Sequence, residues 1–307
     1  MNKVLEVKNL TKKFGNFIAV NNISFSLVEG EVLGVLGPNG AGKTTTIQML
    51  LGVMDPNLGK ISYFGKDFYK NKVEILKNIN FASTYISLPG NFTVYEILNL
   101  FASLYEITNK DFRIKKLLSE FQLEHLIKRR YHDLSAGEKT RLVLTKAFLN
   151  YPKIILLDEP TASLDPEIAV VVRKFLKIQK EEYNVSILLT SHNMSEVEEL
   201  CGRVLILNHG KIIEQGAPEI LVKNMTDCQL ELTVIDDNKK ATIFLDKNKI
   251  PYQVNRYTFT IWLDEKNIAQ FLITLTDEKI TYQEISINKP NLEDYFLQKI
   301  GEKNDKF

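Results

Sequence analysis

Short apolar runs alternate with mixed polar stretches over the first two-thirds of the chain. Strand-like runs fall at residues 5–7, 18–27 (interrupted), 32–36, 61–64, 154–158, 186–190, 204–207 and 211–214. The most apolar of them read as parallel strands covered on both faces. From about 94 to 150 the pattern turns helical and more polar, which predicts a helical insertion between two halves of a parallel-sheet core. Pro218 marks a break, followed by a helix-like stretch at 219–223. Beyond it, 229–234, 242–245 and 257–262 alternate like half-exposed strands. Residues 267–275 read as a helix, 280–287 as a strand and 292–300 as a closing helix. The pattern predicts an α/β domain over 1–218 and a small α+β accessory domain over 219–307, its packed part starting near Asp227.

Composition adds bounds rather than detail. With 307 residues, 44% hydrophobic and 25% charged, the chain has the make-up of an ordinary globular protein with room for two cores. A net charge of +1 gives no reason to expect nucleic acid as a partner. No apolar stretch approaches the ~20 residues that span a bilayer, and the first residues contain no apolar run of signal-peptide length. The protein is therefore expected in the cytoplasm, or at a membrane only through a partner. Cys201 and Cys228 are the two cysteines, expected as free thiols without metal-ligand spacing.

The chemistry begins directly after the run 32–36. Gly37-Pro38-Asn39-Gly40-Ala41-Gly42-Lys43-Thr44-Thr45 fits the phosphate-binding pattern G-x-x-x-x-G-K-[ST], with a predicted helix at 44–51 behind it. Glycines let the backbone curl and aim successive N–H groups at phosphate oxygens. The helix N-terminus adds partial positive charge at the same point. In this pattern Lys43 reaches the β- and γ-phosphates and the Thr44 hydroxyl ligates Mg²⁺.

The run 154–158 ends in two carboxylates, Asp158 and Glu159. In phosphate-loop enzymes such a strand lies beside the loop strand. Asp158 is then expected in the Mg²⁺ shell, with Glu159 as general base for the attacking water.

Together these residues resemble the ATP-binding subunit of an ABC transporter over residues 3–217. That resemblance implies a P-loop NTPase core with an antiparallel β subdomain and a helical insertion. Phe14 matches the aromatic that stacks on adenine. Leu134-Ser135-Ala136-Gly137-Glu138 matches the signature usually written LSGGQ, with residues 139–148 as the helix behind it. In the family, Ser135 and Gly137 would contact the γ-phosphate of ATP held by the opposite subunit. Ser163-Leu164-Asp165 matches the loop that crosses between subunits, and His192 matches the histidine that contacts the γ-phosphate. Taken alone, His192 would be an ordinary capping residue. The implied mechanism is an ATP sandwich: ATP binding closes a dimer, hydrolysis releases it, and a membrane partner uses the closure.

Two departures stand out. The family normally has a glutamine at the start of the loop leading to the insertion, where it helps ligate Mg²⁺. Register against Phe92-Thr93-Val94 places Thr84 there, and no glutamine occurs between Gln48 and Gln122. A threonine hydroxyl reaches less far, so metal contact is expected to be weakened or made through water. In the signature, Ala136 replaces a glycine and Glu138 a glutamine, which puts a carboxylate near a bound triphosphate. That charge is expected to be offset by Lys139 or the helix dipole, or to point away.

The closing Pro290-Asn291-Leu292-Glu293-Asp294-Tyr295-Phe296-Leu297 resembles the P-[SN]-L-E-D-x-F motif of a subfamily that energises drug, antibiotic and sodium export. The resemblance implies ATP and Mg²⁺ as cofactors. It also implies a permease on a separate chain, a second ABC subunit in a homodimer or heterodimer, and a place at the cytoplasmic face of the membrane. Two other readings remain: a soluble ABC ATPase acting on ribosomes or nucleic acid, and an importer ATPase.

Overall fold

The apolar runs of the first two-thirds of the chain become the strands of two packed sheets. The computed structural model describes residues 2–84, 86–223, 225, 227–235 and 238–304. By internal contacts the chain divides into Met1–Pro218 and Glu219–Phe307.

The first unit runs in the order β1 (Lys3–Phe14), β2 (Phe17–Val28), β3 (Val32–Leu36), α1 (Lys43–Leu50), β4 (Leu58–Tyr63), β5 (Lys66–Asp67), α2 (Lys72–Leu76) and β6 (Ile79–Ser83). It continues through α3 (Val94–Leu104), α4 (Lys110–Glu120), α5 (Ala136–Ala147), β7 (Ile154–Asp158), α6 (Pro166–Tyr183), β8 (Ser186–Thr190), α7 (Met194–Leu200), β9 (Arg203–Asn208) and β10 (Lys211–Gly216). A six-stranded sheet has the order β10-β9-β3-β8-β7-β6, parallel except for β10. Its strands β3, β7 and β8 are buried at every residue, which is why they read as unbroken apolar runs. A four-stranded antiparallel sheet, β2-β1-β4-β5, forms the second layer.

The core of this unit joins Leu5, Leu27 and Ile61 of the antiparallel sheet to Leu33 and Leu188 of the parallel sheet and Ile47 of α1. Cutting one of these buried leucines to alanine costs roughly 2–5 kcal/mol. The insertion begins with a capping box: Thr93 Oγ1 accepts from Glu96 N at 3.2 Å, and Thr93 N donates to Glu96 Oε2 at 2.8 Å.

A helix, α8 (Pro218–Lys223), lies at the boundary of the units. The second unit then runs β11 (Asp227–Val234), α9 (Asn238–Lys247), β12 (Tyr252–Asn255), β13 (Thr258–Asp264), α10 (Ile268–Asp277), β14 (Tyr282–Asn288) and α11 (Leu292–Asn304). The antiparallel order β12-β13-β11-β14 with two helices gives a β-α-β-β-α-β split arrangement. Leu230 and Phe259 pack with Leu245 and Phe271 in its core. Asn291 caps α11: its Oδ1 accepts from Asp294 N at 3.0 Å, and its N–H donates to Asp294 Oδ2 at 2.9 Å.

The elements differ from the expected pattern in three places. The alternation at 242–245 is not a strand but part of α9. Ala241 and Leu245, one turn apart, are both buried, and four residues of alternation fit either period. Strand β12 replaces it in the sheet. Strand β6 escaped the sequence reading because Asn80 and Ser83 interrupt its apolar pattern, yet both are buried. Strand β1 runs seven residues past the expected end, carried by Leu10 and Thr11 facing the core.

Candidate functional site

The site forms where β3, β7 and β8 end, on the side reached by their C-terminal ends. Parallel strands bring their carboxyl-end loops together, so residues far apart in sequence meet there. Asp158 pairs with Thr190 across β7 and β8, and with Ser83 across β7 and β6.

The phosphate loop turns from β3 into α1. Gly42, in the left-handed region at φ 101°, is the N-cap of α1; a Cβ there would lie 2.5 Å from Ala19 O. Gly40, at φ 79°, faces open space. Thr46 N closes the first helical turn on Gly42 O at 2.9 Å. Lys43 is buried, and its Nζ donates to Gly37 O at 2.6 Å and to Pro38 O at 3.2 Å. Burial pushes its amine below the usual lysine range, opposed by the charges of Glu159 and Asp158.

One cavity collects Phe14, Asn39, Gly40, Ala41, Gly42, Lys43, Thr44, Thr45, Asp158, Glu159 and His192. All eleven belong to the motifs that the sequence carries. Gly37 and Pro38 stand behind the loop as acceptors for Lys43. Phe17 and Ala19 also line the cavity and were not anticipated. Phe17 pairs with Phe14 across the tight turn between β1 and β2, where Gly15 sits at φ 57°. A glycine at the first of two residues between aromatic strand positions was the available signal.

Two carboxylates occupy different surroundings. Asp158 Oδ1 accepts from Thr190 Oγ1 at 2.6 Å in a buried contact. Glu159 sits in the left-handed region at φ 54°, held there by its N–H donating to Thr190 O at 3.1 Å and Thr190 Oγ1 at 3.2 Å. Its Oε2 accepts from His192 N at 3.2 Å. His192 Nε2 lies 3.2 Å from Glu159 Oε1 without the alignment of a hydrogen bond, so Oε1 is buried with no hydrogen-bond partner. Burial raises the Glu159 carboxyl above its ordinary range, and the nearby His192 and Lys43 oppose that rise.

Ser135, Gly137 and Asp165 are not in this cavity, and neither is Thr84. Ser135 and Asp165 are the N-caps of α5 and α6. A Cβ on Gly137 would lie 3.4 Å from Ser163 O, so the signature turn and the 163–165 segment are neighbours. Glu138 points back into its own helix start: Ser135 N donates to Glu138 Oε2 at 2.7 Å, and Glu138 N donates to Ser135 Oγ at 3.2 Å. This is a capping box, and the backbone donor of Ser135 holds the carboxyl below its usual range.

A phosphate loop, an Asp-Glu strand end and a histidine in one cavity, on a parallel sheet with an antiparallel layer, define a P-loop NTPase of the ABC type. The ABC transporter family model matches residues 20–162. The chain is 33% identical to the bacitracin transport ATP-binding protein BcrA of Bacillus licheniformis, covering 98% of each chain. It is 32% identical to the Nod factor export ATP-binding protein I of Rhizobium sp. (strain N33), covering 100% of each. A solved ATP-binding subunit of an ABC transporter superposes with a TM-score of 0.68 at 28% identity, over 72% of this chain and 92% of that one. The chain therefore belongs to the ABC transporter ATP-binding proteins. It is an ATPase, binding ATP and hydrolysing it to drive transport.

Proposed function

We propose that this ATPase powers export through a membrane-spanning permease on a separate chain, from the cytoplasmic face. Among the described residues no helix is long and apolar enough to cross a membrane. The full-length relatives named for bacitracin transport and Nod factor export support an exporter over an importer or a ribosome-bound ATPase.

The convergence of Lys43, Asp158, Glu159 and His192 on the phosphate-loop cavity carries the chemical reading. Phe14 and Phe17, both largely exposed at the cavity edge, offer ring faces for adenine. The loop amides from Asn39 to Thr45 and the Lys43 amine receive the phosphates. On reaching phosphate, Lys43 exchanges main-chain carbonyl partners for charged oxygens. The Thr44 hydroxyl and the Asp158 carboxylate are the hard oxygen donors that suit Mg²⁺. An ion held there would neutralise charge on the bound phosphates. The Glu159 carboxylate orients the attacking water and takes its proton, and its raised proton affinity makes it a better base. His192 faces the γ-phosphate from beside Glu159.

Ser135, Gly137 and Asp165 lie outside this cavity and complete the site of a second cassette. The exposed N-terminus of α5 then meets the partner's γ-phosphate. Glu138 is turned into the capping box rather than toward that phosphate.

The direct test is purification of the tagged chain from detergent-solubilised membranes of its own cell. Recovery of a multi-helix membrane protein with it is the expected result. A ribosome or soluble complex with nothing from the membrane would overturn the reading.

A further inference from the structure

Glu196 is 1% exposed and lies three residues into α7, beneath the loop that carries His192. A glutamate at this helix position ordinarily reaches back to the N-cap amide. Here that amide is taken: Asn193 N donates to Ser191 Oγ at 3.0 Å, and Asn193 Oδ1 accepts from Glu196 N at 3.3 Å. The Glu196 carboxylate turns inward. Its Oε2 accepts from Ser191 Oγ at 2.6 Å and its Oε1 from Thr161 Oγ1 at 2.9 Å.

These two hydroxyls belong to different loops. Ser191 immediately precedes His192; Thr161 follows Glu159 by two residues and leads toward Asp165. A carboxylate is costly to bury, and an apolar side chain would fill the same space without that cost. The chain keeps a carboxyl there and satisfies both oxygens from loops that flank the reacting groups.

We propose that Glu196 is a positioning residue that fastens the 159–165 loop to the His192 loop, so that the base, the histidine and the segment facing the second cassette move as one body. Loss of the brace leaves the phosphate loop intact, since Lys43 and Thr44 stand on the first turn of α1, behind β3. It frees Glu159 and His192 to depart from the geometry that hydrolysis needs. Displacements on the order of 1 Å at such groups cost about 100-fold in rate.

The proposal rests on Glu159 and His192 being the hydrolytic pair. The test uses the full chain, with turnover, KM, nucleotide affinity and melting temperature measured for Glu196→Ala, Glu196→Gln and Thr161→Val. Glu196→Ala is expected to lower kcat about tenfold or more, with nucleotide affinity within about twofold of wild type. Glu196→Gln should recover most of that loss, because its amide accepts from one hydroxyl and donates to the other. Thr161→Val removes one strut alone and should lower kcat by an intermediate factor. If Glu196→Ala does not fold, Thr161→Val and Glu196→Gln carry the test. Wild-type kcat in Glu196→Ala or in Thr161→Val would overturn the proposal, as would parallel loss of affinity and kcat in Glu196→Gln. Glu159→Gln run alongside separates the two failures. Full turnover in that variant sinks the hydrolytic reading, whereas its inactivity beside a fully active Glu196→Ala sinks only the brace.

Discussion

Thr190 Oγ1 donates to Asp158 Oδ1 at 2.6 Å, across two adjacent parallel strands whose register places the residues side by side. The same hydroxyl accepts from Glu159 N at 3.2 Å. One threonine thus sets the rotation of the Asp158 carboxylate and the unusual backbone of the base. Replacing Thr190 with Val keeps the shape and removes both contacts. The expected result is a destabilisation of about 1.5–3 kcal/mol, from the lost hydrogen bond to a buried charge. Turnover should fall further than nucleotide affinity, read by thermal unfolding and by KM against kcat.

The acid limb of the pH profile follows from Glu159. Its folded carboxyl titrates above the ordinary 4.5, burial being the main cause. The base works only when ionised, so kcat should rise with pH through a midpoint above that ordinary value. Stability moves the other way. A carboxyl whose proton affinity is raised by folding contributes fully below its unfolded value, and that contribution is lost as pH rises through the folded one. The buried Glu196, also raised by desolvation, adds to the same trend. A kcat midpoint at or below 4.5 would contradict this assignment.

Glu138 is a capping residue in this structure, so its effect should be mainly on stability. Glu138→Gln retains an oxygen for Ser135 N and should change melting little. Glu138→Ala loses the bond from Ser135 N and should cost about 0.5–1.5 kcal/mol. If Glu138→Gln raised turnover severalfold at unchanged stability, charge repulsion at the second cassette's phosphate would be the better account.

Thr84 follows directly on β6, whose last residue, Ser83, pairs with Asp158. The backbone is thus next to the carboxylates although Thr84 does not line the cavity. Thr84→Gln lengthens the side chain toward that point. Higher turnover and tighter Mg²⁺ dependence are expected; unchanged kinetics would show that this position does not reach the metal.

Much of the site was legible because its chemistry is contiguous. Residues 37–45 and the 158–159 pair each declare themselves within a few positions. Phe17, Thr190 and Glu196 did not, because their roles come from pairing rather than from local pattern. Phe17 matters through its register with Phe14, Thr190 through its register with Asp158, and Glu196 through a carboxylate turned away from its own helix start. The fold shows the same division. Strands β3, β7 and β8 are apolar throughout and easily read, while β6 is masked by its buried Asn80, whose Nδ2 donates to Asn150 Oδ1 at 2.9 Å. In the second unit, 242–245 alternates as a strand would, yet tertiary packing selects the helix through Ala241 and Leu245.

The measurement that bears most directly on the account compares ATP hydrolysis and ATP binding in wild type and Glu159→Gln, each at saturating Mg²⁺ and ATP. Loss of the base should remove turnover by a factor of about 100 or more while ATP remains bound at least as tightly. Glu159→Gln with wild-type turnover would contradict the assignment of Glu159 as the base that activates water.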